Sequence, residues 1–301
     1  MYYLTGCPMH YGVNDKGLIH SLDYLCNNHK NLNIHMIPEV HKQEEHLPAL
    51  RNLNSVVATN EAIAQLNLNV LTRGKTPIFI GGDHSIAIGT VSASSTYVER
   101  KHQFDSNENT SPSNELTKQQ SLGLIWIDAH PDINTDETTI TGNIHGMPVA
   151  ALIGRGEQSL TKILTEEVKL NPKHIVYLAL RDIDPPEAEI IQELEIRAYT
   201  YEDVKRRGLP TCLYEIQQYL TGLEGIHISF DIDSMDPKIM PGVSVPVPDG
   251  LGEEDVYQIF RHLVGTLPIT AIDIVEYNME HDINEKTSDF VSDLVEFISE
   301  L

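Results

Sequence analysis

The sequence predicts a three-layer α/β/α domain built on a mostly parallel central sheet. Short apolar runs such as residues 122–127 (LGLIWI) indicate strands buried on both faces, which is typical of parallel sheets. These runs alternate with stretches in which apolar residues recur at helical spacing. Strands that alternate with helices favour a layered α/β fold.

The elements of the first third can be placed in order. Residues 1–8 and 33–40 are predicted as strands, and apolar positions at helical spacing predict a helix over 49–71. Residues 76–80 predict a further strand that runs into GGDHS at 81–85. We expect a helix to begin at Ser85, because serine is favoured at the N-cap position.

The rest of the sequence continues the alternation of predicted strands and helices. Strands are predicted at 122–127, 174–180, 196–201, 226–233 and 270–277, and a loop at 138–148 is expected to enter a helix at Val149. Residues 101–121 are rich in Ser, Asn, Gln and Lys and predict a flexible surface insertion. The polar residues needed at one site span positions 84 to 276, so residues 1–301 are predicted to form a single domain.

The composition narrows the possible partners. The chain has 21 Lys and Arg against 44 Asp and Glu, a formal net charge of −23. Nucleic acids and anionic membranes require basic patches, so neither is an expected partner. No apolar run approaches the ~18 residues of a membrane span, and three widely spaced cysteines suit a reducing cytoplasm. The acidic charge favours metals or a cationic substrate, although solubility alone would also explain it.

Polar clusters follow five of the predicted strands, at the end where α/β sheets place their sites. Residues two apart in an extended segment share a face, so the polar residues of DAHPDIN at 128–134 could converge. The clusters are His84, then Asp128 with His130, Asp132 and Asn134, then Asp184, then Asp231 with Asp233, and finally Glu276.

This set of side chains favours a metal centre over a merely polar strand end. Carboxylates and imidazoles without thiolates suit Mn²⁺ and related ions. Four Asp and two His are too many for one ordinary site, but they fit two ions that share carboxylates, lie ~3.5–4 Å apart and hold a water between them. Four carboxylates would also balance the charge of two divalent cations.

Four motifs together resemble the ureohydrolase family, and within it most closely the arginases. They are GGDHS at 81–85, DAHPDIN at 128–134, TTITGNIHGMP at 138–148 and SFDIDSMDP at 229–237. The resemblance implies an arginase-like fold and two Mn²⁺ ions per subunit, with Asp128 and Asp231 bridging them. The implied metal ligands are His84, Asp128, His130, Asp132, Asp231 and Asp233.

The resemblance also implies a reaction, in which hydroxide held between the ions attacks the guanidinium carbon of L-arginine to give L-ornithine and urea. His145 would carry a proton to the leaving amine, and Asp132 would belong to the catalytic set as well as to the ligands. Glu276 would pair with the guanidinium, although a salt bridge to an internal arginine is an alternative.

The far end of the substrate has its own implied contacts. Asn134 and Thr141 would bind the α-carboxylate, and Asp184 would bind the α-amino group unless it only caps the turn at Pro185. Val245 departs from the family, because a hydroxyl residue is usual at this position. The resemblance further suggests a homotrimer or hexamer.

Other functions remain as alternatives. The chain could act on agmatine or another guanidino compound, or it could be a binding protein that kept the fold without catalysis. A metal-dependent deacetylase would leave Glu276 without a role. The HKQEEH segment at 41–46 is one residue too long for an inverted zincin motif, which argues against a zinc protease.

Overall fold

A computed structural model describes residues 1–13, 15–43, 50–107 and 121–301, with only the backbone for 102–107. Eight strands form one parallel sheet in the order β2-β1-β3-β8-β7-β4-β5-β6, flanked by helices. The predicted α/β class with a mostly parallel sheet is confirmed. The strands are β1 (Tyr2–Gly6), β2 (His35–Met36), β3 (Thr76–Ile80), β4 (Leu122–Ile127), β5 (Ile175–Leu180), β6 (Arg197–Thr200), β7 (Gly225–Asp231) and β8 (Ile269–Val275).

Ten α-helices are described, together with four short 3-10 helices. The helices are α1 (Gly17–Asn28), α2 (Leu53–Thr72), α3 (Ala87–Asn107), α4 (Pro148–Leu152), α5 (Gln158–Thr161), α6 (Pro185–Glu193), α7 (Tyr201–Arg207), α8 (Leu209–Leu220), α9 (Glu253–Thr266) and α10 (Lys286–Glu300). The 3-10 helices are His84–Ile86, Ile144–Gly146, Pro172–His174 and Ile232–Ser234. Among the described helices, none is both long and apolar enough to cross a membrane.

The central strands are apolar on both faces because helices cover both faces. Every residue of β4, β5 and β7 is buried. Alternate residues of β4 pack into different cores: Ile125 and Ile127 join one apolar cluster with Phe260 of α9, whereas Trp126 joins another with Val91 of α3. This two-sided burial explains why the strands read as continuous apolar runs.

Two local predictions need correction, and one helix was not predicted. The strand expected at 33–40 is reduced to His35–Met36 at the sheet edge. The helix expected from Ser85 begins with a 3-10 turn, and Asp83 caps it by accepting a hydrogen bond from the Ser85 backbone N–H at 3.0 Å. The sequence reading missed α1, whose buried Leu18, Leu22 and Leu25 have helical spacing.

The segment predicted as an insertion is only partly described. The backbone of residues 101–107 continues α3 to Asn107, and residues 108–120 lie outside the described part of the chain. The chain resumes at residue 121 and enters β4 at Leu122.

Candidate metal centre

The predicted site residues lie at one edge of the sheet. The five neighbouring strands β3, β8, β7, β4 and β5 each lead into polar residues at their carboxyl ends. Because the strands are parallel, these ends share one side, where open α/β folds bind their ligands. The structure brings together all of the predicted residues: His84, Asp128, His130, Asp132, Asn134, Thr141, His145, Asp184, Asp231, Asp233 and Glu276.

Three carboxylates surround one ring nitrogen of His84. Its Nδ1 lies 3.0 Å from Asp128 Oδ2, 3.2 Å from Asp132 Oδ2 and 3.1 Å from Asp231 Oδ2, and all four side chains are buried. Nevertheless, Nδ1 makes no hydrogen bond of good geometry. Ligands that converge on a shared cation have this arrangement. His84, Asp128 and Asp231 thus form a first group that could hold a metal ion.

A second group shares Asp128 with the first. His130 Nδ1 lies 3.0 Å from Asp233 Oδ2 and 3.4 Å from Asp128 Oδ1, and these three residues could also hold an ion. The two oxygens of Asp128 therefore face different histidines, as a bridging ligand requires. Asp231 belongs only to the first group, and its bridging role stays a prediction.

Backbone amides orient these carboxylates. Asp231, the last residue of β7, accepts the N–H of Asp233 on Oδ1 at 2.7 Å. Asp128 accepts the N–H of His130 on Oδ1 at 2.7 Å, and Asp233 accepts that of Ala129 at 3.2 Å. Each carboxylate is held by a nearby turn, so the remaining oxygen lone pairs are directed toward the histidines.

Crowding of the aspartates perturbs their ionisation. Burial and repulsion from neighbouring aspartates raise the pKa of Asp231 well above its usual value. Burial and the charge of Asp128 raise the pKa of Asp233 to about 6. Burial opposes a charged His84 ring, but contacts with three aspartates outweigh it and raise the pKa of His84. The cluster therefore binds protons that a divalent cation would displace.

A cavity of about 360 Å³ opens at the two groups. It is lined by every predicted site residue except His84 and Asp128, which are fully buried. The acidic lining residues are Asp132, Asp182, Asp184, Glu187, Asp231, Asp233 and Glu276. Among the described lining residues none is Lys or Arg. Such a cavity attracts a cationic ligand.

Glu276 offers this cavity an unpartnered carboxylate oxygen. Its Oε1 accepts the backbone N–H of His84 at 2.9 Å and contacts His145 Nδ1 at 3.1 Å. Its Oε2 is buried without a hydrogen-bond partner. Within the described residues no arginine forms an ion pair with Glu276, so the alternative of an internal salt bridge is not observed. A buried oxygen of this kind is costly unless a ligand donates to it.

His145 lies at the cavity wall beside Glu276. Burial disfavours its charged form, but the hydrogen bond to Glu276 outweighs this and raises the pKa of His145 to about 9. The His145 backbone N–H donates to the carbonyl of Gly12 at 3.2 Å, which anchors this loop to the N-terminal segment. The raised pKa favours the charged form of the His145 ring, which lines the cavity.

The residues predicted to bind the far end of a substrate form a polar wall. Asn134 Nδ2 donates to Asp184 Oδ2 at 3.3 Å, and Asn134 Oδ1 accepts from the Thr138 hydroxyl at 2.8 Å. The Thr141 hydroxyl oxygen accepts the Asn143 N–H at 3.1 Å, which leaves its proton to donate into the cavity. Asp184 also occupies the N-cap position of α6, and its role in substrate binding stays a prediction.

Comparisons with known proteins agree with this geometry. A model described as the arginase family matches residues 4–298. Arginase from Bacillus subtilis is 36% identical over 247 residues, covering 82% of this chain and 76% of the relative. Arginase from Bacillus caldovelox is 38% identical over 240 residues, covering 79% and 73%.

The chain belongs to the arginase family. The solved structure of Entamoeba histolytica arginase in complex with L-ornithine superposes with a TM-score of 0.83 at 30% identity, covering 100% of this chain and 98% of that one. The native structure of B. caldovelox arginase gives 0.82 at 32% identity, covering 99% and 97%. The protein is accordingly a hydrolase of a metal-dependent family, with His and Asp groups that could bind two metal ions.

Within this arginase-family cavity, sequence reasoning missed several lining residues. Glu187 of α6 is buried and accepts the backbone N–H groups of Ile133 at 3.2 Å and Asp184 at 3.0 Å. Burial and the charge of Asp132 raise the pKa of Glu187 to about 8. The spacing of three residues from an N-cap Asp to a Glu is the signal that could have revealed it.

The cavity also has an apolar side. Ile140 is 90% exposed and Val245 is 37% exposed, and both line the opening. Val245, already noted as a departure from the family, lies beside Ser244, whose hydroxyl accepts from Asn278 Nδ2 at 3.0 Å. Ile140 lies in the predicted 138–148 loop, but its exposure could not be read from a sequence in which apolar residues usually indicate burial.

Proposed function

We propose that this protein hydrolyses L-arginine to L-ornithine and urea at a centre of two Mn²⁺ ions. One observation carries the proposal: Glu276 Oε2 is buried and unpartnered at an acidic cavity that also contains the two His and Asp groups. A guanidinium is a planar cation with donors in a fixed fork, and it matches such a carboxylate.

His84, Asp128 and Asp231 would hold one ion, and Asp128, His130 and Asp233 the other, with Asp132 placed to assist the first. Manganese suits this mixture of oxygen and imidazole ligands, which contains no thiolate. When bound, two such ions supply a water with a pKa near neutrality. The buried, orphaned Nδ1 of His84 supports the fit.

The chain's own residues would orient the substrate and move a proton. Glu276 binds the guanidinium, which fixes its central carbon against the Asp and His cluster. The ring of His145, held protonated beside Glu276, delivers a proton to the amine nitrogen that becomes the side-chain amine of ornithine. Water adds to the carbon and the C–N bond breaks, so arginine and water yield urea and ornithine.

The polar wall would select an amino acid. The Thr141 hydroxyl and an amide hydrogen of Asn134 can donate to an α-carboxylate, and Asp184 can accept from an α-amino group. The Entamoeba relative was solved with L-ornithine, the amino-acid product of this reaction. These contacts would account for a preference for arginine.

One observation favours an alternative substrate. The lining has seven carboxylates and no described Lys or Arg to neutralise an α-carboxylate. Agmatine lacks this carboxylate and carries two positive charges, so an agmatinase is the second candidate.

Urea release decides between these functions. Purified protein, with and without added Mn²⁺, should release urea from L-arginine much faster than from agmatine, and only when the metal is present. Thr141→Ala should slow arginine turnover but leave agmatine turnover nearly unchanged. Faster release from agmatine would reverse the assignment, and no release from any guanidino compound would indicate a binding protein.

The proposal also covers the assembly and location of the enzyme. We propose that residues 1–301 act as a single domain in a homotrimer or hexamer in the cytoplasm. Analytical ultracentrifugation should give three or six times the monomer mass of 33.7 kDa. A purely monomeric sample would contradict the assembly.

A further inference from the structure

A chain of buried polar side chains runs from the back of His84 into the interior, away from the cavity. His84 Nε2 lies 2.8 Å from the Ser229 hydroxyl, which lies 3.4 Å from Asp273 Oδ2. Asp273 Oδ2 lies 2.9 Å from His227 Nε2, and His227 Nδ1 lies 2.9 Å from the Ser94 hydroxyl. All five residues are fully buried. None of the four beyond His84 lines the cavity.

The strand pairing explains how these residues meet. His227, Ser229 and Asp231 alternate along β7 and therefore share one face of the sheet. Ser229 is the register partner of Asp273 on β8. The same face is covered by α3, from which Thr90 donates to Asp273 Oδ2 at 2.7 Å.

Asp273 sets the direction of every hydrogen bond in this chain. As a carboxylate it can only accept, so Thr90, His227 and Ser229 must all donate to its Oδ2. The Ser229 hydroxyl has then used its proton and can only accept from the ring of His84. His84 therefore keeps a proton on Nε2, and Nδ1 is the nitrogen left to face the aspartates.

The direction of the hydrogen bond between His227 and Ser94 follows in the same way. His227 donates from Nε2, so its Nδ1 can accept the proton of the Ser94 hydroxyl. His227 thereby gives Asp273 a donor that the apolar surroundings of β7 and β8 would not otherwise supply. Without His227, the fully buried Asp273 would accept one hydrogen bond fewer.

We propose that Asp273 and His227 are positioning residues, which hold His84 in the tautomer that presents Nδ1 to the metal ion of the first group. The inference rests on the proposed function, because it concerns the affinity of that metal. Outer carboxylate partners fix the tautomer and ring orientation of ligating histidines in this way, and their loss typically costs about 10–100-fold in metal affinity. Among the described residues, Asp273 and His227 make no hydrogen bond to His130 or Asp233, the two members of the second group that the first group does not share.

Asp273→Asn is the decisive variant. Asparagine has nearly the same shape, and it would keep its oxygen toward Ser229 because three donors face Oδ2 whereas Oδ1 has no partner. It lacks the negative charge, so it should hold the Nε2 proton of His84 less firmly through Ser229 and make Nδ1 a weaker metal ligand. Mn²⁺ is titrated into metal-free protein while the electron paramagnetic resonance signal of free Mn²⁺ is followed. We expect two ions to bind the unaltered protein. In Asp273→Asn, the affinity of one site should fall about 10–100-fold while the other changes less than about twofold.

Two substitutions of His227 separate positioning from packing. His227→Gln retains an amide donor near the Nε2 position and should keep both affinities, whereas His227→Leu removes the donor and should weaken the same single site. Equal weakening of both sites by Asp273→Asn would indicate general disruption and would overturn the proposal. Two unaltered sites would show that the chain serves only to pack α3 on the sheet.

The titration of the unaltered protein distinguishes failure of the proposed function from failure of the positioning roles. If it binds fewer than two Mn²⁺ ions, the two-metal proposal itself fails, and the positioning roles fail with it. If it binds two ions and Asp273→Asn binds them identically, only the positioning roles fail.

Discussion

Glu276→Gln tests how much Glu276 contributes to guanidinium binding and how much it contributes to the stability of the fold. The substitution preserves the shape and an acceptor for the His84 N–H, but it replaces the charged Oε2 with an amide or a neutral oxygen. Breaking a buried charge pair costs about 3–5 kcal/mol. At about 1.4 kcal/mol per factor of ten, kcat/KM for arginine should fall about 10²–10⁴-fold. The substrate-free protein should also lose stability near pH 7, because the substitution leaves the His145 ring without its carboxylate partner, and thermal unfolding measures that loss separately from binding.

The assay pairs urea release with thermal unfolding and metal content. Glu187→Gln is the matched control, because Glu187 lines the same cavity and is also buried, but both of its oxygens accept backbone N–H groups. Glutamine keeps one of these two acceptors, and the change leaves the carboxylate proposed to bind the guanidinium in place. We expect the control to lose less than about tenfold in kcat/KM. If Glu276→Gln stays within threefold of the unaltered enzyme with its metals in place, Glu276 does not bind the guanidinium.

Three further predictions follow from the site. His145→Asn should lower kcat about 10²-fold, with partial recovery in added imidazole; an unchanged kcat would remove His145 from proton transfer. Arg181 donates to the backbone carbonyls of Asp233 and Val247 and so supports the loop at Val245. Arg181→Lys should therefore raise KM about tenfold without changing the circular dichroism spectrum. An unchanged KM would show that the loop at Val245 needs no such support. The raised pKa values of Asp233 (about 6) and His145 (about 9) mean that the metal-free fold binds more protons than the unfolded chain between pH 5 and 9. Its stability should fall as pH rises through these values, so the increase in Tm on adding Mn²⁺ should be larger at pH 8.5 than at pH 6. A pH-independent increase would contradict this linkage.

Glu276 and Asp273 show what the sequence could and could not reveal. A carboxylate at the end of an apolar strand is conspicuous, because burial without a partner is expensive, and Glu276 was therefore predicted as a site residue. Asp273 lies inside the same strand and was overlooked, because its partners come from α3 and β7. These partners are far from Asp273 in sequence, so the contacts become evident only in the folded structure.

Alternation of apolar strands with helices determined the fold class from sequence alone, and the position of polar residues just beyond those strands predicted where the site residues would gather. Both follow from short-range physics, since burial on two faces dictates apolar runs and parallel strands end on one side. Only the tertiary structure decided the strand order, the division of Asp128 between two histidines, the bare oxygen of Glu276 and the chain behind His84. These depend on distances between residues far apart in sequence, which local patterns do not encode.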